Sequence, residues 1–272
     1  MIKPVAKIGL WCSLLLTTAV TARVIGEDER RAPNEAESDL ASALGLVVCN
    51  AVVDNQRRRS FGTGTIVGSR STVLTSAHVL TDDRATGEAF KFDAASDCVF
   101  RQYDAFGNVS AEVEFTLAEI GAFWNNSGAP NQDWAVLRTA APLPESSTAL
   151  PFATNGYAIE ELAGLSIRIL AFHADIRNAR RTPRLSEGTL FGIDYAGYRR
   201  LAHTADTGRM SSGAAIVHRM RDGQNIVVGV NRSSANLGDF NLAVPMSGEL
   251  AETLKGFAYG QVPIGGQRFA SR

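Results

Sequence analysis

Residues 63–79 read Thr-Gly-Thr-Ile-Val-Gly-Ser-Arg-Ser-Thr-Val-Leu-Thr-Ser-Ala-His-Val, and this stretch decides the fold class. Two short runs rich in β-branched residues, Thr63 to Val67 and Thr72 to Leu74, flank a polar Gly-Ser-Arg-Ser break, which is the pattern of strand, turn and strand. The second run passes directly into small residues and a histidine, Thr75-Ser76-Ala77-His78. An imidazole placed there stands at the end of a strand, where a short helix can begin near Ala77. That is a rigid perch for a general base, although a lone histidine beside apolar residues carries little by itself.

The same β pattern extends in both directions. Upstream lie Leu46 to Cys49 and Ala51 to Val53; downstream lie Val113 to Phe115, Trp134 to Leu137 and Ser166 to Phe172, then Gly188 to Ile193, Ala214 to Val217, Ile226 to Val230 and Asn241 to Val244. Such spacing predicts an all-β barrel or sandwich. One helix is expected at the end, over Ser247 to Phe257, where Ser247 can cap and Leu250, Leu254 and Phe257 share a face. Pro142, Pro144 and Pro151 mark a crossing between two β units. The expected organisation is an export signal over 1–22, a charged, extended arm over 23–43, an N-terminal β unit over 44–145, and a C-terminal β unit with the terminal helix over 146–272.

Composition narrows the function. The 272 residues are 45% hydrophobic and 20% charged, the balance of a globular protein with a sizeable core. Lys plus Arg number 27 against 28 acidic residues, so net charge gives no reason to expect nucleic acid. The one basic run, Arg57-Arg58-Arg59, reads as a solvated turn. Lys3 and Lys7 followed by an apolar stretch from Ile8 to Val20 and the small residues Thr21-Ala22 read as an export signal. No second stretch of spanning length follows, so the mature chain is expected to be secreted or periplasmic, a monomer, and not inserted in a membrane. Cys49 and Cys98 survive signal removal and are expected to pair in an oxidising compartment, although counting alone leaves two buried thiols open. Neither has a CxxC partner and the four histidines lack ligand spacing, so no metal site is expected.

Two further stretches carry chemistry. In Asn131-Gln132-Asp133-Trp134-Ala135-Val136-Leu137 a carboxylate precedes an apolar strand, where burial is costly unless an imidazole N–H compensates it. In Asp206-Thr207-Gly208-Arg209-Met210-Ser211-Ser212-Gly213-Ala214-Ala215 a serine sits before Gly and a strand, fitting a nucleophile on a tight turn whose backbone N–H groups converge on an oxyanion. The order His78, Asp133, Ser212 differs from that of subtilisins and of α/β-hydrolases, and no GxSxG elbow leads into a helix.

These segments resemble the trypsin-like, chymotrypsin-fold serine peptidases, especially the bacterial branch near the glutamyl endopeptidases. Thr75-Ser76-Ala77-His78-Val79 is similar to the T-A-A-H segment, Asp133-Trp134-Ala135-Val136-Leu137 to D-[IW]-A-[LV]-[LI], and Asp206-Thr207 through Ser212-Gly213 to the D-T-x-x-G-x-S-G-S-P box. Arg23-Val24-Ile25-Gly26-Glu27-Asp28 resembles the start of mature glutamyl endopeptidases. The resemblance implies two six-stranded β-barrels and a polypeptide substrate. It also implies a triad of His78, Asp133 and Ser212 with the backbone N–H groups of Met210 and Ser212 as oxyanion hole. No metal or organic cofactor is required. Activity should fade below roughly pH 6 to 7, as an ordinary imidazole takes up its proton.

The chain departs from the pattern in ways that bear on activity. Met210 replaces the usual Gly two residues before the nucleophile, where a side chain threatens the oxyanion hole, and loss of one donor there costs about 100 to 1,000-fold. A catalytically weak or inactive protease-like binding module is therefore the alternative. Ser211 replaces the Asp that pairs with a new N-terminus in trypsins, so activation of that kind is not expected. For the substrate pocket the resemblance offers Asp206, Thr207, Asn231 and Arg232, with Asp206 in the place of the basic-selecting Asp of trypsin. His173, His203 and His218 are read as structural or surface residues, with His203 near enough to the nucleophile loop to line the site.

Overall fold

A computed structural model describes residues 23–53, 55–82, 90–121, 130–177, 179–195, 197–234 and 239–260. The expected export signal at 1–22 lies outside these residues. Fourteen strands appear among the described residues: β1 Leu44–Val53, β2 Gln56–Ile66, β3 Thr72–Thr75, β4 Thr81–Asp82, β5 Phe90–Lys91, β6 Cys98–Tyr103, β7 Val109–Ile120, β8 Ala135–Thr139, β9 Ser166–Ala171, β10 Arg184–Tyr195, β11 Tyr198–His203, β12 Ala215–Arg219, β13 Asn225–Ser234 and β14 Asn241–Pro245. They close into two antiparallel barrels, ordered β1-β2-β3-β8-β7-β6 and β10-β11-β14-β13-β12-β9, with β4 and β5 paired beside the first. The all-β, two-barrel expectation is met.

Three parts of the local reading need correction. Arg57-Arg58-Arg59 is strand, not turn: the left-handed corner is at Asn55 (φ 60°), and Arg59 and Arg58 lie opposite Asn50 and Ala51 in β2. β6 and β11 went unread because charged residues interrupt them, yet β6 alternates inward Cys98, Phe100 and Gln102 with half-exposed Val99, Arg101 and Tyr103, the period of a barrel strand. The arm is extended only in its first part. Residues Glu35–Glu37 form a 3-10 turn and Ser38–Ser42 a short helix, α1, that buries Leu40.

The helical turn is steadied by Glu37, whose carboxylate is bonded by Arg31 (2.8 Å to Oε2) and by the Asn34 N–H (2.8 Å). Arg31 also bridges to Leu185 of β10, so the arm is fastened to the second barrel. Two other short helices, α2 Ala94–Asp97 and α3 Ile159–Leu162, lie in connections. The terminal helix, α4 Gly248–Tyr259, begins as expected with Ser247 Oγ accepting from the Leu250 N–H (3.3 Å) and ends at Gly260 in the left-handed conformation that glycine tolerates.

What fixes the two barrels relative to each other is a shared apolar core. Leu46, Val48 and Trp134 from the first pack in one cluster with Phe172, Leu185 and Val230 from the second and with Leu250, Leu254 and Phe257 of α4. Arg138 of β8 donates to the Phe257 carbonyl at 2.9 Å, tying α4 across the first barrel. Cys49 and Cys98 face each other in the β1–β6 register and are bonded, with Cα atoms 4.1 Å apart. Among the described residues, no helix is long and apolar enough to cross a membrane.

Candidate active site

The strand β3 ends at Thr75, and the chain turns through a 3-10 helix, Ala77–Leu80, that carries His78. Ser76 Oγ donates to the Asn231 carbonyl of β13 at 3.0 Å, so this turn is anchored to the other barrel. Asp133 follows a 3-10 turn, Pro130–Gln132, and sits just before β8 with its side chain 1% exposed. The two meet twice: the His78 N–H donates to Asp133 Oδ1 at 3.0 Å, and His78 Nδ1 lies 2.9 Å from Oδ2. Because an ionised carboxylate only accepts, Nδ1 carries the hydrogen and Nε2 is left as the acceptor.

Asp133 has a third partner. Arg232 of β13 donates its Nε to Oδ2 at 2.8 Å, from a side chain 17% exposed. Burial opposes ionisation of Asp133, but the imidazole and the guanidinium outweigh it and hold the carboxyl well below its usual range. Ser212 Oγ is half-buried and donates to the Arg232 carbonyl at 2.9 Å; among the described residues it makes no hydrogen bond to His78. Arg232 thus binds the carboxylate with its side chain and the serine with its backbone.

The loop that presents Ser212 is a tight turn. Ser211 Oγ donates to the Gly208 carbonyl at 2.7 Å and Thr63 Oγ1 donates to the Met210 carbonyl at 2.8 Å. Thr63 N–H also donates to the Ser212 carbonyl at 2.9 Å, clamping the loop to β2. Gly213 must be glycine: at φ 89°, a Cβ there would lie 2.1 Å from Thr75 Oγ1 and 2.3 Å from the Thr63 carbonyl. Met210 keeps a backbone that suits glycine, at φ 80°, a conformation costing a bulky residue of order 1–3 kcal/mol. Its side chain is half-buried against the shared core. The N–H groups of Met210 and Ser212 have no acceptor among the described residues, whereas those of Ser211 and Gly213 are used, by the carbonyls of Gly208 and Asn231.

The residues offered for the substrate pocket are placed differently. Asp206 is not a pocket floor: its Oδ1 accepts from the Ile25 N–H (2.7 Å) and its Oδ2 from the Glu29 N–H (2.9 Å), so both oxygens are spent on the N-terminal arm. Thr207 is buried and gives its N–H to the Arg23 carbonyl. Asn231 is fully buried behind the nucleophile loop, donating to the Ser211 carbonyl and Oγ (2.9 and 3.1 Å) and bonded through Oδ1 to His203 Nε2 at 3.1 Å. Arg232 faces Asp133 instead of an open pocket. Its position on the carboxylate was missed because nothing in the local sequence links two residues 99 positions apart.

Burial pushes His203 down to about 4. His173 is likewise held at about 4 by burial and by Arg30, whose Nη1 donates to its Nδ1 at 3.1 Å. Both are therefore neutral structural groups, and His203 lies beneath the loop instead of lining the cleft.

The trypsin-like peptidase domain model matches residues 62–230, more than half of the chain. No curated protein is significantly similar in sequence. Among solved structures, a Glu endopeptidase in complex with MPD superposes with a TM-score of 0.64 at 19% identity, covering 88% of this chain and 100% of that one. The protease Anisep from Arthrobacter nicotinovorans gives 0.60 at 13% identity, covering 89% of this chain and all of that one. A thermostable serine protease, AL20, from an extremophilic microorganism gives 0.58 at 17%, covering 82% and 98%. At these identities the superpositions speak for the fold, and the domain match carries the family: the chain belongs to the trypsin-like peptidases, a family of serine endopeptidases.

Proposed function

We propose that the protein is an exported endopeptidase that cleaves polypeptides through an acyl-enzyme formed on Ser212. Ser212 Oγ attacks the scissile carbonyl carbon while His78 Nε2 takes its proton; the carbonyl π pair moves to oxygen, which the Met210 and Ser212 N–H groups receive. The C–N bond then breaks as His78 returns the proton to the leaving amine. Water, deprotonated by His78, repeats the attack on the ester and releases Ser212. Asp133 keeps the imidazole in the Nδ1–H tautomer and stabilises its cation.

The observation that carries this reading is the doubly bonded His78–Asp133 pair beside the turn of Ser212, where Gly213 packs against Thr75 and Ser76. The two unused N–H groups support it, since in Met210 the chain retains a strained backbone that makes sense if its N–H must point at substrate. The bonded Cys49–Cys98 pair accords with export to an oxidising compartment. One observation favours the second reading, a silent binding module: Ser212 Oγ rests on the Arg232 carbonyl. Incubation of the mature protein with a fluorophosphonate probe, followed by peptide mapping, separates them. Labelling at Ser212 is the expected result; a folded sample that takes up no probe sinks the proposal.

A further inference from the structure

Beyond Met210 the cleft between the barrels opens into a groove of about 670 Å³. Leu46, Val48, Phe61 and Tyr103 of the first barrel form an apolar floor, and Ala174 and Met210 face them from the second. On this floor stand Arg59, Arg101, Arg180, Arg181 and Arg209. A second hollow of about 800 Å³ continues from it, sharing Asp175, Arg180 and Arg181 and adding Arg177.

Most of the charge in this trough has no carboxylate partner among the described residues. Its carboxylate, Asp175, is taken by Arg30 at 2.7 Å, and Arg101 is paired with Glu112. Arg177, Arg180, Arg181 and Arg209 are exposed and have no carboxylate partner among the described residues. In a chain of net charge -1, so many free guanidinium groups beside one loop are not the average surface. A guanidinium fork matches a carboxylate bidentately, and the apolar floor suits the rest of an extended peptide. A net charge of -1 gives the protein no overall field to draw in a phosphate backbone, and the apolar floor gives such a backbone nothing to bind.

We propose that this groove binds acidic segments of the polypeptide on the flank of the scissile bond that leaves the site past Met210 and Phe61. The inference rests on Ser212 being the nucleophile, because that places the flank there. The test uses the full chain carrying Ser212→Ala, so that bound peptide is not cut, and fluorescein-labelled peptides with a run of either Glu or Gln. Anisotropy titration at low salt should give at least about tenfold tighter binding of the Glu peptide, as expected for three exposed ion pairs. The advantage should shrink in high salt and disappear in the Arg180→Gln/Arg181→Gln/Arg209→Gln background.

Equal affinity for the two peptides, or an unchanged preference in the triple variant, overturns the proposal. A labelled single-stranded oligonucleotide that binds more tightly than the Glu peptide overturns the choice of polypeptide. Fluorophosphonate labelling of the unsubstituted protein separates this from the catalytic reading. Labelling without a Glu preference removes the groove alone, and a Glu preference without labelling removes the nucleophile alone.

Discussion

Lowering the pH from 7 to 5 should destabilise the protein through two buried imidazoles, and His203 allows the effect to be isolated. His203 is fully buried, and the amide it touches is fixed: Asn231 gives Nδ2 to Ser211, so its Oδ1 must accept from His203 Nε2–H. The imidazole is therefore neutral and resists a second proton, with its folded value lowered from the ordinary 6.5 to about 4. The unfolded chain binds that proton more readily, so the contribution is complete above about pH 6.5 and is lost as pH falls toward 4. Between pH 7 and 5 the loss is about 2 kcal/mol. His173, also held at about 4, adds a similar amount. Urea unfolding at both pH values should show the His203→Gln variant losing about 2 kcal/mol less than the parent across this interval. Because the readout is a difference between pH values, the cost of the substitution itself cancels. An identical fall in parent and variant would refute the reasoning.

Other consequences concern the site and the staple. Arg232→Leu removes a cation from a carboxylate that keeps both bonds to His78, and should cost about 2 to 3 kcal/mol in thermal or urea unfolding, near the low end for a broken buried pair. With the guanidinium gone, Asp133 is held by His78 alone, so kcat should fall while KM changes little; an unchanged kcat argues against Arg232 as a positioning residue. Replacing Cys49 and Cys98 together by Ala opens a cross-link spanning 49 positions and should cost about 2–4 kcal/mol by denaturant unfolding; a loss under 1 kcal/mol would mean the strand pairing does not need it.

The barrel was legible where apolar strands were punctuated by small residues, as at 63–79, because pattern and turn chemistry agree there. It was illegible where strands carry charge. Arg57 to Arg59 and Arg199-Arg200 sit on half-exposed or exposed strand positions, which a barrel tolerates and a propensity reading does not. The site divides in the same way. The proposed triad residues His78, Asp133 and Ser212 each stand beside a strand end, which makes them visible as candidates locally. The true partners of Asp206 and Arg232 are not visible in this way, since Ile25 lies 181 positions from Asp206 and Asp133 lies 99 from Arg232. A carboxylate that looked available for substrate was consumed by backbone N–H groups of an arm whose docking no local pattern encodes.

The most direct test is digestion of a peptide library by the mature protein and by its Ser212→Ala variant, read by mass spectrometry. New internal cleavages by the first and none by the second, with the thermal stabilities of the two within about 1 kcal/mol, are what the account predicts. Equal cleavage by both, or none by either in folded samples, would contradict it.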